Sequence, residues 1–281
     1  MNKKVVLIGA GIVVVLCLCV VVVVVAAGAL GYGHSISTPA VAQSVTRTQV
    51  PTVASTSTPT PTSEAVFATP EEAITHYFEG VTQSDSRQIL EACAIDEMAA
   101  HFQLDKETER LGNVFLPSTS LAPTDYPLDV EINKVQLSAQ ILNRVKLFSY
   151  GLLSGENMEN GSPLTNMDAG RVSRFVKAVD PQRLAALQIQ QIAPSNEKVM
   201  TDTKYLDSAA RIAHSYGADE YTERLALLLF EKNYYGVGFT LLRYGEQWKI
   251  SSQVSPIAAT NSLGVPQKTT VDAFGHLVSG Y

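Results

Sequence analysis

Ser195-Asn196-Glu197-Lys198 has the Ser-x-x-Lys spacing in which a lysine activates a serine nucleophile for acyl transfer. That chemistry needs partner motifs downstream, and Lys268-Thr269-Thr270 echoes one only faintly, with Thr where Gly is required. Pro194 places the serine in a loop rather than at a helix start. The stretch Glu156 to Met167 has Gly161 where a calcium loop wants its glycine, but Met158 and Met167 stand where oxygen ligands are needed. His34, His76, His101, His214 and His276 are scattered, with no pair at the i, i+4 spacing of a metal site. Val5-Val6-Leu7-Ile8-Gly9-Ala10-Gly11 opens like a dinucleotide-binding turn, but Val14 replaces the third glycine and the apolar run never breaks. The expectation is therefore no metal, no cofactor and no catalytic constellation.

One group of residues has the makings of a ligand site. Tyr234, Gly236, Gly238 and Tyr244 alternate along one predicted strand, so they share a face, and the two glycines leave room for close approach. A helix packed tightly on the sheet needs the same glycines, and packing is the simpler use. Cys93 lies among Ile89, Leu90 and Ala94 on a predicted helix, which reads as a buried, inert thiol. Cys17 and Cys19 fall in the apolar N-terminal run, so no disulfide is expected within the remainder of the chain.

The largest organising feature is that run, Val5 to about Leu30, uncharged and preceded by Lys3 and Lys4. About 20 apolar residues cross a hydrocarbon core, and lysines on the short leading flank keep that flank cytoplasmic. A cleaved signal peptide ending near Ala27-Gly28-Ala29 is the alternative, but its apolar core would be unusually long. The expected layout is a cytoplasmic stub and transmembrane helix over 1–33, a disordered stalk over 34–66, an exported domain over 67–254 and a C-terminal tail over 255–281. The stalk is mostly Ser, Thr and Pro and cannot offset its ordering entropy. Asn160-Gly161-Ser162 matches a glycosylation sequon, discounted because Pro163 follows at once. The formal charge of −6 disfavours nucleic acid as a partner.

Thr69, Pro70 and Glu72 spell a helix start with a capping box, and Ile74, Tyr77, Phe78 and Val81 recur at helical spacing. A second helix starts near Ser84 or Asp85, and a third runs from Ile95 toward Phe102. After a loop over 111–127 comes a helix bearing Leu137, Ile141, Val145 and Phe148, then a polar loop from Gly151 to Asn166. Val172, Phe175, Val176 and Val179 mark a further helix stopped by Asp180-Pro181. Leu187 and Ile189 alternate with glutamines as in a strand. Tyr205, Ala209, Ile212 and Tyr216 make another helical face ending at Gly217. Strands over Tyr221–Glu231, Tyr234–Tyr244 and Trp248–Val254 close the pattern, with turns at Lys232-Asn233 and Gly245-Glu246. Helices first and strands last predict an α+β fold with helices packed on a C-terminal antiparallel sheet.

Thr69-Pro70-Glu71-Glu72-Ala73, then Phe78-Glu79-Gly80-Val81 before Ser84-Asp85, and the terminal Gly-x-x-Trp-Lys-Ile strand from Gly245 to Ile250 resemble the nuclear-transport-factor-2-like superfamily. The resemblance covers 67–103 and 220–254 and implies a cone-shaped α+β domain, with the middle as a helical insertion. It does not carry a function, because this scaffold hosts enzymes, binding modules and accessory domains, and no position here matches the Asp, His or Tyr of the enzymes. The functional expectation is a single-pass membrane protein, held in the lipid bilayer by its N-terminal helix. Its exported domain acts by ligand or protein binding at the cell surface, with an envelope or surface protein as partner. A small-molecule enzyme using the cone, or an accessory domain in envelope assembly, are the alternatives.

Overall fold

A computed structural model of the chain describes residues 65–112, 121–156, 158 and 168–280. The expected membrane helix and nearly all of the stalk, with Cys17, Cys19 and His34, lie outside the described residues, as do the sequon at Asn160 and Met167. Among the described residues no helix is long and apolar enough to cross a membrane. The described residues belong to one compact unit, Pro61–Tyr281.

Helix α1 (Pro70–Gln83) begins as its sequence dictates: Thr69 Oγ1 accepts from the Glu72 amide at 3.2 Å and Pro70 occupies the first turn, where no N–H is needed. The capping box closes one residue early, since the Glu72 carboxylate accepts from the Ala68 amide at 2.7 Å rather than from Thr69. Ser84 ends the helix in a left-handed conformation, and Asp85 caps α2 (Ser86–Glu91) by accepting from the amides of Arg87 and Gln88. Helix α3 (Ile95–His101) follows, and then α4 (Leu104–Leu111), which the sequence reading missed because it buries no residue and so has no apolar stripe.

Helix α5 (Pro127–Ser154) is longer at both ends than its stripe predicted. Pro127 is its first residue, where proline costs no hydrogen bond. Its far end runs through Gly151, expected as loop, because the bare glycine lets Val265 and Pro266 pack within 3.0 and 3.3 Å of where a β-carbon would stand; the left-handed residue that stops the helix is Gly155. Asn133 holds the incoming segment, accepting from the Ala122 amide at 2.7 Å and donating to its carbonyl at 2.9 Å. Helix α6 (Ala169–Ala178) stops before Asp180-Pro181 as expected, and a 3-10 turn (Pro181–Ala186) leads into β1 (Gln188–Pro194). Helices α7 (Glu197–Met200) and α8 (Thr203–Ser215) precede the meander.

Strands β2 (Glu220–Phe230), β3 (Asn233–Tyr244) and β4 (Gln247–Ser252) are antiparallel neighbours, and β1 pairs with β2 to give the order β1-β2-β3-β4. The β2–β3 turn sits at Glu231-Lys232, one residue earlier than expected, because Asn233 pairs with Phe230 across the ladder. The segment read as a tail, 255–281, folds back instead. Strand β5 (Gln267–Thr269) pairs with β3 on the same edge as β4, and helix α9 (Val271–Ser279) buries Phe274 against Leu225 and Leu227 of β2. The edge strand is thus one line broken in two, β4 opposite Thr240–Tyr244 and β5 opposite Tyr234–Gly236, with residues 253–266 making an excursion between.

The fold is α+β with helices on a C-terminal antiparallel sheet. One face carries Ala226, Leu228, Val237, Phe239, Leu241 and Ile250 against Ile74, Tyr77, Phe78 and Val81 of α1 and Ile141, Phe148 and Leu152 of α5. Burying each large apolar side chain contributes roughly 1.5–3 kcal/mol, so this layer carries the domain without a staple.

Candidate functional site

The space between α1 and the sheet is filled by side chains. The Tyr77, Phe78 and Phe239 rings meet edge to face with centroids 5.5 Å apart in each pair, and Phe148 stands 5.9 Å from Phe78. All four are buried. The Tyr77 hydroxyl donates to Gln253 Oε1 at 2.7 Å, and Gln253 Nε2 donates to the Gly264 carbonyl at 3.0 Å, so the excursion supplies the polar stopper. Burial pushes the Tyr77 hydroxyl far above its ordinary range, which keeps it a neutral donor. Arg144 reaches Ser252 Oγ beside it, and burial lowers that guanidinium from its usual value.

The four residues proposed from sequence do not line one pocket. Tyr234 and Tyr244 stand at opposite ends of β3. Tyr234 packs with the Phe274 cluster, while Tyr244 donates to the Tyr216 carbonyl at 3.1 Å in a separate cluster with Leu242 and Ala213. Gly238 is covered by the excursion: a β-carbon there would stand 2.6 Å from Ser255 Cβ and would collide with Ser255 N and Thr260 Oγ1. Gly236 meets Thr269 of β5 at an ordinary 3.9 Å. The close approach read from the glycines is made at Gly238, by the protein's own turn.

Ser195 belongs to the network around that turn. Ser255 Oγ donates to Glu223 Oε2 at 2.6 Å and lies 2.6 Å from Ser195 Oγ; the Ile257 amide reaches the same carboxylate oxygen at 3.1 Å, and the Tyr221 hydroxyl donates to Oε1 at 3.0 Å. Glu223 is 2% exposed and both serines are fully buried. A serine hydroxyl chained to a carboxylate can pass a proton, but both hydroxyls here are sealed from solvent. Asn196, not Ser195, caps α7, so Lys198 does not follow the serine by one helical turn. The network fastens the excursion to β2.

An open groove of about 520 Å³ lies between α2, α3, α5 and β4. Its walls include Arg87, Leu90, Asp96, Glu97, Lys134 and Lys249. Lys134 Nζ sits 2.9 Å from Asp96 and 3.4 Å from Glu131, and the hydrogen bond it donates to Asp96 first, then both carboxylate charges, raise its ammonium above the usual value. Lys249 is buried, donates to the Glu91 carbonyl at 2.9 Å and lies 5.6 Å from the centre of the Phe67 ring. His76 Nε2 stands 3.5 Å from Glu91 Oε2 behind it. Cys93, on the floor, donates to the Ile89 carbonyl at 3.3 Å, and burial pushes its thiol up to about 12, as the inert reading anticipated. Interleaved cations and carboxylates on a partly apolar concavity suit a small zwitterionic ligand or a polar peptide segment. Sequence reasoning missed this groove because its residues come from three stretches distant in the chain, 86–97, 134–138 and Lys249. Among the described residues no three His, Cys, Asp or Glu side chains are grouped to hold a metal ion.

No family model matches the chain. No curated protein matches it either. Among solved structures it is similar to a cystatin-like protein from Ruminococcus gnavus, at 20% identity and a TM-score of 0.49, over 72% of this chain and 44% of that one, so the match spans less than half of the length of that protein.

Proposed function

We propose that this is a single-pass membrane protein, N-terminus cytoplasmic, whose exported domain works by binding rather than catalysis, with a small ligand or a surface protein as partner. The single observation that carries the binding reading is the filled interior: Tyr77, Phe78, Phe148 and Phe239 leave no room for a buried substrate. Of the open concavities among the described residues, the groove beside Lys134 and Lys249 combines buried and exposed cations with carboxylates, and binding is assigned there. The anchor is supported by the uncharged run from Val5 to Leu30 behind Lys3 and Lys4. On this reading the domain is a nuclear-transport-factor-2-like cone closed by its own side chains, and the helices between α3 and β1 are its insertion.

Two measurements on the full chain in membrane vesicles test it. Alkaline carbonate should leave the protein in the membrane fraction, and protease added on the outer side should release the domain. A thermal-shift screen against a panel of small charged and zwitterionic metabolites should find a ligand whose shift disappears in Arg87→Glu, an exposed wall residue. Release by carbonate overturns the anchor; a hit that Arg87→Glu does not weaken overturns the groove.

A further inference from the structure

Helix α5 carries, on the side turned away from the core, an apolar line that nothing described covers. Leu128 is 70% exposed, Ile132 47% and Val135 70%. They recur at i, i+4 and i+7, and Ala139 continues the same line. The inward stripe of the same helix, with Leu137, Ile141 and Phe148, already anchors it, so the outward one is surplus to folding.

The charges at the two ends of this line are opposite. Asp125 lies just before the first helical turn and Lys146 lies on the exposed line near its other end, both exposed, and neither makes an ion pair among the described residues. The separation is about 30 Å at 1.5 Å per residue. We infer that this face docks on a second copy of the chain, the two α5 helices antiparallel about a dyad beside Val135. In that register Val135 meets its counterpart, Ile132 packs beside Ala139, and each Asp125 faces the partner copy's Lys146. One surface complementary to itself is what a two-fold interface requires, and antiparallel helices also oppose their dipoles. A lipid surface fits worse, because interfacial helices flank their apolar face mainly with cations, whereas here Asp125, Asp129 and Glu131 stand with Lys134 and Lys146. One helix pair buries less than the roughly 1,200 Å² of a standard stable interface, so the dimer is weak in free solution and forms where copies are concentrated on a membrane.

Cysteine cross-linking of the full chain in membranes tests this, with Cys17 and Cys19 replaced by alanine. Under mild oxidation Val135→Cys should give a species of twice the chain mass in at least about five-fold higher yield than Thr201→Cys, an exposed position on a different element. Adding Asp125→Lys or Lys146→Asp should lower that yield, and combining them should restore it. Equal yields at positions 135 and 201, a cross-link to a protein of another mass, or a charge reversal without restoration each overturn the proposal. All of these positions are exposed, so a loss of cross-linking at unchanged melting temperature is not a folding failure. The dimer rests on the proposed anchor, which carbonate extraction tests separately, but not on the groove, whose variants leave this surface intact.

Discussion

Gly238 and Ser255 are in contact across the middle of the sheet: a β-carbon added to the glycine would stand 2.6 Å from Ser255 Cβ. The excursion 253–266 can leave the edge strand and settle on β3 only because that position has no side chain. Gly238→Ala is therefore expected to cost about 2–3 kcal/mol, the price of overpacking against backbone that cannot yield. Urea unfolding of the chain measures it; a loss below about 0.5 kcal/mol contradicts the tight contact.

Glu223 accepts from Ser255, Ile257 and Tyr221 in a buried site. Glu223→Ala strands all three donors and should cost about 3 kcal/mol or more, since each orphaned buried group costs about 1–3 kcal/mol. Protease cleavage within 253–266 should accelerate in parallel, because the carboxylate ties that segment to β2. Unfolding that stays unchanged while cleavage rises would place the network outside the cooperative unit.

Cys93 is buried, and its thiol is raised to about 12. Its contribution to stability is complete below the unfolded thiol value near 8.5 and declines as pH rises from there to about 12, because only the unfolded chain releases the proton readily. Stability measured from pH 9 to 11 should fall less steeply in Cys93→Ala than in the native chain, by about 1.4 kcal/mol per pH unit. At pH 8 a thiol reagent should modify Cys93 in the folded domain at least about 1,000-fold more slowly than in the denatured chain. Equal labelling rates would mean the thiol is exposed.

Phe274 is buried against Leu225 and Leu227. Phe274→Ala should cost about 3–5 kcal/mol, the usual range for emptying a buried phenylalanine site. Hydrogen exchange should rise in β1 and β2, whose outer face α9 covers. A cost near zero would return residues 255–281 to the status of a tail.

Local grammar was legible where one segment carries its own signal. Thr69 and Pro70 announce α1, Ile74, Tyr77, Phe78 and Val81 mark its buried face, and Asp180-Pro181 stops α6; each is decided by neighbours within a turn of chain. Helix α4 was invisible because it buries nothing, and β5 because three residues have no period. Helix α9 was passed over because Phe274 is its one buried residue, and burial of a single position leaves no stripe to read.

By itself the chain determined an α+β order, helices before strands, and an uncharged apolar stretch from Val5 to about Leu30, because periodicity, caps and apolar length are properties of contiguous residues. Only the tertiary structure decided what each side chain faces. It filled the space beneath α1 with four aromatic rings, placed the excursion on Gly238, bonded Ser195 to Ser255 and separated Tyr234 from Tyr244. It also brought Arg87, Lys134 and Lys249 to one groove. Such contacts join residues distant in the chain, and their geometry is set by how the layers pack, which no single stretch encodes.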